Sequence, residues 1–373
     1  MTTTPTLKIT TSMFLYAATF NVYASIEQSL TLPLTFEYES NPQLSVSNEQ
    51  SIKRVTLTPS YSITSNQETN PWFVNASLRV ERSSDEDISQ DRDDPSINLG
   101  WTHHYETGQF GVTGRLIDES TRISEFSDSG LVRRDNTNKT RALSVNWLNN
   151  LSDRTSIALD GTTTLVAFVG PSTTGLVDYR DDSISTTLNY NLSEQLQTFV
   201  QVSFSLYQPD VVNSLNTETR SMNLGVDWEV NEKLNMSASI GPNKAIREDQ
   251  VFRTSWQGSF SMQYATLRTR SNLSLSRDQS PSSTGNLEES NRIATGWSYS
   301  LTERDNIAFD LSWRQNLTLI KNETLIFSTN YTRELNLSWD FSLSAEHRVR
   351  DDRLTKASSS SIMASIIYKL PEF

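Results

Sequence analysis

From about residue 30 onward the chain alternates apolar with polar residues, the 180° pattern of a strand with two unlike faces. Leu32, Leu34, Phe36 and Tyr38 interleave with Pro33, Thr35, Glu37 and Glu39. Met222, Leu224, Val226, Trp228 and Val230 interleave with Asn223, Gly225, Asp227 and Glu229. Ile307, Phe309, Leu311 and Trp313 interleave with Ala308, Asp310, Ser312 and Arg314. The same rhythm recurs at 55–63, 72–80, 97–105, 143–147, 157–165, 184–192, 200–206, 256–264, 267–275, 293–301, 339–345 and 362–370.

A soluble β-sandwich also alternates, but its strands average about 5 or 6 residues. Many runs here approach the roughly 9–11 residues a tilted strand needs to cross a bilayer. The links between runs alternate in length. Short ones fall at Thr107-Gly108, 151–154, 192–195, 230–233 and 301–304; long polar ones fall at Ser83–Asp94, Glu119–Asn138, Gln208–Thr217 and Arg277–Glu289. Four short links share the order aliphatic, Ser/Thr/Asn, acidic, then Arg/Lys/Gln, as in Leu301-Thr302-Glu303-Arg304. They form a hairpin repeat rather than a solenoid, because the longer links differ too much to stack. The pattern predicts an all-β fold: a transmembrane antiparallel up-and-down barrel of about 18 strands, 16 being the alternative, with short periplasmic turns and long extracellular loops. The least regular stretches are 234–241, where Pro242 ends the run, and 324–333, followed by a turn placed at Tyr331–Leu335.

Composition sharpens this picture. Only 35% of the 373 residues are hydrophobic, below the roughly 45–50% of ordinary globular domains. Yet 8 Trp, 12 Tyr and 15 Phe are too many for a disordered chain. A barrel resolves the tension, since only its outer face must be apolar. No run of about 20 apolar residues offers a spanning helix. The net charge of −12 argues against a nucleic-acid partner. Residues 1–24 carry Lys8, an apolar stretch from Met13 to Phe20 and the small-residue ending Val22-Tyr23-Ala24. They read as a secretory signal peptide cut between Ala24 and Ser25, leaving 25–373 as the barrel domain. With no Cys, no disulfide braces the exported chain.

If the apolar face meets lipid, the other face exposes Glu37, Arg79, Arg115, Asp160, Asp227, Arg253, Arg268, Arg270, Asp310, Arg314 and Asp340 to the lumen. Charge on the lipid side costs a few kcal/mol at the midplane, so these residues are candidate lumen-lining groups; any one of them can equally serve only to brace the wall. Trp147, Tyr190, Trp228 and Tyr299 precede the short turns and form a candidate periplasmic aromatic girdle. His103, His104 and His347 are the only histidines. No nucleophile–base pattern, phosphate loop, zinc spacing or calcium loop accompanies them, so neither an enzyme nor a cofactor or metal is expected. The acidic run Asp85, Glu86, Asp87, Asp91, Asp93 and Asp94 reads first as a solvated loop and second as a weak divalent-cation site or a calcium bridge to lipopolysaccharide.

Tyr368 and the terminal Phe373 resemble the C-terminal signal read by the barrel-assembly machinery. The apolar series Ile362, Ala364, Ile366, Tyr368, Leu370 is out of phase with Phe373, however, and Pro371 interrupts it. Closure at Leu370 with a three-residue extension is therefore expected.

Taken together, Phe36-Glu37-Tyr38-Glu39-Ser40-Asn41-Pro42, Ser127-Asp128-Ser129-Gly130-Leu131-Val132 followed by Arg133, Gly175-Leu176-Val177-Asp178-Tyr179-Arg180, and the Leu-Thr-Glu-Arg type turns give a further likeness. The chain resembles the β-barrel porins encoded with exopolysaccharide biosynthesis and export systems, including outer-membrane barrels of the PEP-CTERM system. That resemblance implies a passive conduit in the outer membrane of a Gram-negative bacterium. It would work with a periplasmic polysaccharide export protein and carry a secreted polysaccharide, with Arg115, Arg268 and Arg270 touching an acidic glycan. The periodicity itself is equally compatible with a general diffusion porin for small polar solutes, or with a structural or adhesin barrel.

Overall fold

The computed structural model describes residues 26–129, 135–170, 175–210, 215–249, 251–317, 322–352 and 355–370. Ala24, Ser25 and Phe373, and with them the cleavage site and the terminal aromatic, lie outside these residues.

Nineteen strand segments and one helix make up the described fold. β1 (Ile26–Glu39) pairs on one flank with β2 (Ile52–Leu57) and then β3 (Ser60–Ser65). The register Leu34↔Leu57 carries straight on into Thr31↔Ser60, so β2 and β3 are two halves of one wall strand. The break falls where Pro33 of β1 lies beside Thr58-Pro59. Neither proline has an N–H to give to the ladder, and pairing lapses for two residues. Thr58 N still donates to Pro33 O at 3.0 Å. Counted this way, the wall has the 18 strands predicted.

The wall continues through β4 (Trp72–Ser83), β5 (Arg92–Tyr105) and β6 (Gly108–Ser120). After helix α1 (Thr121–Ser129) come β7 (Thr137–Asn150), β8 (Thr155–Val169), β9 (Tyr179–Asn191) and β10 (Leu196–Pro209). Next are β11 (Thr217–Asn231), β12 (Leu234–Arg247), β13 (Phe252–Ala265) and β14 (Thr269–Pro281). β15 (Leu287–Ser300), β16 (Asp305–Asn316), β17 (Glu323–Asn336), β18 (Trp339–Asp351) and β19 (Lys356–Leu370) complete it. Each wall strand is antiparallel to the next, and β19 closes on β1 from Leu30↔Leu370 to Glu39↔Ser361. Closure at Leu370 is as expected.

Parity sorts the side chains. The large apolar residues Phe36, Leu99, Leu143, Ile184, Leu224, Ile240 and Ile366 are exposed and all point away from the axis. Among the described residues, the buried apolar cluster is small: Leu44, Phe126 and Ala357, with Ile326 against it. Lipid takes the place of a protein core, which is how a chain so poor in hydrophobic residues folds.

Four features depart from the sequence expectation. β12 runs through Pro242 to Arg247 because at the proline the ladder with β11 lapses only between Ser221↔Asn243 and Leu224↔Ile240 and then resumes. Residues Tyr331–Leu335 belong to β17, and the turn follows at 337–338. The long link Arg277–Glu289 is for the most part strand, with β14 and β15 paired as far as Pro281↔Leu287. Inside the link Glu119–Asn138 sits α1, which a strand rhythm cannot reveal. Its local signal is Ser120, whose Oγ accepts from Arg122 N at 3.1 Å as a helix N-cap.

Candidate functional site

The candidate site is the lumen, and α1 decides its shape. The helix leaves the end of β6 and reaches across to the inner faces of β1, β4 and β18. Its Arg122 is buried and pairs with Glu81 of β4 at 3.2 Å and Glu39 of β1 at 3.6 Å. Phe126 packs in the apolar cluster, with the Arg348 guanidinium 5.6 Å from its ring centre. A helix spanning a polar lumen needs such anchors, because its own residues offer little apolar area to bury.

The anchors form one ion network. Arg54, fully buried, grips Glu37 with two hydrogen bonds of 3.0 and 2.7 Å and also donates to Glu39. Glu39 further receives Ser359 Oγ at 3.1 Å and lies 3.7 Å from Arg348. Glu81 takes Arg79 as well as Arg122. Burial, and then the like charge of Arg54, push the Arg122 pKa below its ordinary value, while Glu81, Glu39 and Asp135 oppose that. The carboxylates hold the cations in place; removing either sign would strand the other.

A second group clamps the base of α1. Arg92 forms a fork onto Asp94, both bonds 2.9 Å, and donates to Asp135 Oδ1 and Asn136 O at 3.0 Å. Asp94 therefore leaves the solvated acidic run assigned to it, being 8% exposed and paired. Asp91 and Asp93 lie against Arg82. Among the described residues no cluster of His, Cys, Asp or Glu forms a cage for a metal ion.

The second constriction element is the β14–β15 hairpin. Pairing of β13 with β14 stops at Gly258↔Arg277, whereas β12–β13 and β14–β15 continue beyond that level. Freed from β13, the hairpin tip turns into the lumen. Tyr207 of β10 donates to Ser282 O at 2.8 Å, Val177 N donates to Ser283 O at 2.8 Å, and Ser283 Oγ donates to Glu125 of α1. Buried Glu289 closes the parted seam by pairing with Arg253 at 2.7 Å and with Arg277, and by accepting from Ser255 Oγ at 2.7 Å. Arg277 lies 4.6 Å from the Trp256 ring centre.

The predicted lumen residues fall into three groups. Arg115, Asp160, Asp227, Arg270 and Asp310 point inward and have no ion-pair partner within 4 Å among the described residues; of these, Arg115, Asp160, Arg270 and Asp310 are exposed and Asp227 is half-buried. Glu37, Arg79, Arg253, Arg314 and Asp340 also point inward but are wall braces: Asp340 is buried on Lys369, and Arg314 is buried with its Nε on Asn316 Oδ1 at 2.8 Å. Arg268 is misplaced by the sequence reading. It stands on the short turn 266–268, exposed at the rim, because β14 begins only at Thr269.

Trp147, Tyr190, Trp228 and Tyr299 all lie on the outward face near the short-turn rim. They have company: Trp297 stacks on Tyr299 at 5.9 Å, and Trp339 meets Tyr368 at 5.0 Å between ring centres. Reading charges alone missed the rest of the inner wall, where Ser, Thr, Asn and Gln dominate. Thr35–Ser365 and Ser239–Ser259 meet at 2.8 Å, Ser144–Thr162 at 3.1 Å and Asn243–Gln257 at 3.2 Å. The polar half of each alternating run contained that signal. At the short-turn mouth this surface bounds a cavity of about 940 Å³ that includes Asn191, Gln197, Asp227, Asn235 and Gln263.

No family model and no curated protein matches the sequence. The fold does match solved structures. OccAB4 of Acinetobacter baumannii superposes with a TM-score of 0.53 at 10% identity, over 93% of this chain and 98% of that one. OccK3 (OpdO) of Pseudomonas aeruginosa gives 0.52 at 9%, over 93% and 96%. OpdK of the same organism, solved with vanillate, gives 0.53 at 9%, over 94% and 99%. At such identities the likeness is one of fold. The chain is a closed 18-strand antiparallel barrel with the fold of these three proteins. None of these three structures is named for polysaccharide transport, so the earlier resemblance is supported only as far as the barrel fold.

Proposed function

We propose that the protein is a passive diffusion pore for small polar solutes, with α1 and the β14–β15 tip setting its size limit. The observation that carries this reading is the fastening of α1 across the lumen by Arg122 to Glu39 and Glu81. A helix held on buried ion pairs narrows the path while leaving a hydrated polar wall around it. Weak, multiple contacts along such a wall let solutes enter and leave. Arg115, Asp160, Asp227, Arg270 and Asp310 supply both signs of unpaired charge, which favours no strong ion selectivity.

Export of a polysaccharide is the second reading. The hydroxyl- and amide-rich wall favours it, and the lumen-crossing helix opposes it, since a polymer would have to pass the anchored α1. Reconstitution into planar bilayers tests the first reading. Steady ohmic current is expected, with swelling of proteoliposomes in small sugars and amino acids but not in large oligosaccharides. A protein that inserts yet passes neither ions nor solutes contradicts it. Loss of surface glycan on gene deletion, with small-solute permeability unchanged, would support the second reading instead.

A further inference from the structure

The inner wall repeats one construction. Phe199 of β10 points inward and lies against Gly225, its register partner on β11, filling the space a Cβ at 225 would take. Phe73 of β4 does the same over Gly100 on β5. Glycine thus leaves room for each ring against the wall, and both rings are half-buried on the inward face. The two sites are six wall strands apart, a third of the way around a wall of 18, and both belong to the short-turn half.

Beside each ring, two residues away along the strand and hence on the same face, stand planar polar side chains. Gln197 and Asp227 flank the Phe199–Gly225 pair and face each other in register. Asn75 and Asn98 flank the Phe73–Gly100 pair and likewise face each other. A cavity adjoins the polar pair at both places: about 940 Å³ bounded in part by Gln197 and Asp227, and about 260 Å³ bounded in part by Asn75 and Asn98, each with the inward-pointing ring two residues along the strand from the pair.

The geometry points to two saccharide-binding subsites in the short-turn vestibule, at Phe199 and at Phe73, for uncharged sugars. A pyranose has a face of weakly positive C–H groups that suits the negative face of an aromatic ring. Its rim of hydroxyls suits the paired acceptors and donors of carboxylates and amides. Among the described residues Asp227 has no ion-pair partner within 4 Å, and the lining of the larger cavity sets Asp153, Glu194, Asp227 and Glu229 against the single Arg154, so a uronic acid brought there meets an excess of like charge. That excludes the acidic glycan suggested by the arginines and selects a neutral one. The inference rests on the pore reading only in that solute must reach the vestibule.

The test titrates detergent-solubilised protein with maltotriose by calorimetry and, separately, records single-channel current with maltotriose on the short-turn side. Saturable binding is expected, with sugar-dependent interruptions of the current. Phe199→Ala should weaken the affinity roughly three- to tenfold, the loss of one aromatic contact. Phe199→Trp should preserve it. Asp227→Ala, which disturbs no ion pair, should weaken it too and provides the check if Phe199→Ala fails to fold. Trigalacturonate should bind less tightly than maltotriose. Current without saturable maltotriose binding, or binding indifferent to both Phe199→Ala and Asp227→Ala, overturns the subsites and leaves the pore standing. Binding without any current keeps the subsites and removes the pore.

Discussion

The ring of Phe199 occupies the volume that a β-carbon on Gly225 would need, with the two residues in register on adjacent strands. An aromatic laid over a glycine covers backbone that the glycine leaves bare, and each residue depends on the other. Gly225→Ala should therefore lift the ring off the wall at a cost of about 1–3 kcal/mol, as overpacking does. In the double variant Phe199→Ala/Gly225→Ala most of that cost should vanish. Urea unfolding of the four proteins in vesicles gives the coupling directly; additive costs would show that the two residues do not share the site.

Arg122 links the helix to the wall. Arg122→Ala leaves Glu81 with Arg79 and Glu39 with Arg54 and Arg348, but cuts the only ion pairs by which α1 reaches β1 and β4 among the described residues. Removing one partner of a buried pair costs about 3–5 kcal/mol. Because α1 is not part of the wall, that loss should appear as a wider pore, not as an unfolded barrel. Single-channel conductance should rise while the temperature at which the barrel unfolds on gels changes little. Unchanged conductance would mean that Phe126, the Arg92 clamp and the β14–β15 tip suffice to hold the helix.

Glu289 plays the corresponding part for the hairpin. It is 2% exposed and answers two arginines and a serine across the seam where β13 and β14 separate. Glu289→Gln keeps the shape and removes the charge, so the tip should swing in and out of the lumen. The expected signature is current flicker on the microsecond to millisecond scale of loop and hinge motions, which Arg253→Ala should reproduce in part.

Leu224 is 56% exposed at the middle of β11, and Ser203 on β10 faces the opposite way. Leu224→Arg should cost about 2–4 kcal/mol, the penalty for a cation on the lipid face at the midplane. Ser203→Arg should cost little and reduce conductance. Equal costs for the two would show that the face assignment is wrong.

The wall was legible because strand parity is a one-bit code. Met222, Leu224, Val226 and Trp228 point outward as read, and the hairpin turns at 151–154 and 301–304 stand where their repeated pattern put them. What escaped was whatever the code does not carry. The nine residues of α1 announce themselves only by the Ser120 cap, and a strand-dominated chain drowns so short a signal. Parity places Arg314 and Asp340 inward but is silent on whether a partner such as Asn316 or Lys369 already occupies them. Arg268 was misread because the strand rhythm of its neighbours ran on through a turn. The resemblance to polysaccharide-associated barrels rested on the end of β1, a segment that starts in α1, the entry to β9 and the short turns, and such short stretches report strand-end and turn chemistry more than they report the lumen.

The seam between β1 and β19 joins residues from the two ends of the described chain: Thr35 and Ser365, linked through their hydroxyls at 2.8 Å, are separated by 330 positions. Local hairpins can zip early, but this ladder waits for the whole sequence. Until Leu370 is in place, the open N–H and C=O groups of β1 are a raw edge able to accept a strand from another chain. Ring closure is thus the slow, aggregation-exposed step of this protein's life, and a substitution on the outer strands can lower the yield of assembled barrel without altering a single contact in the pore.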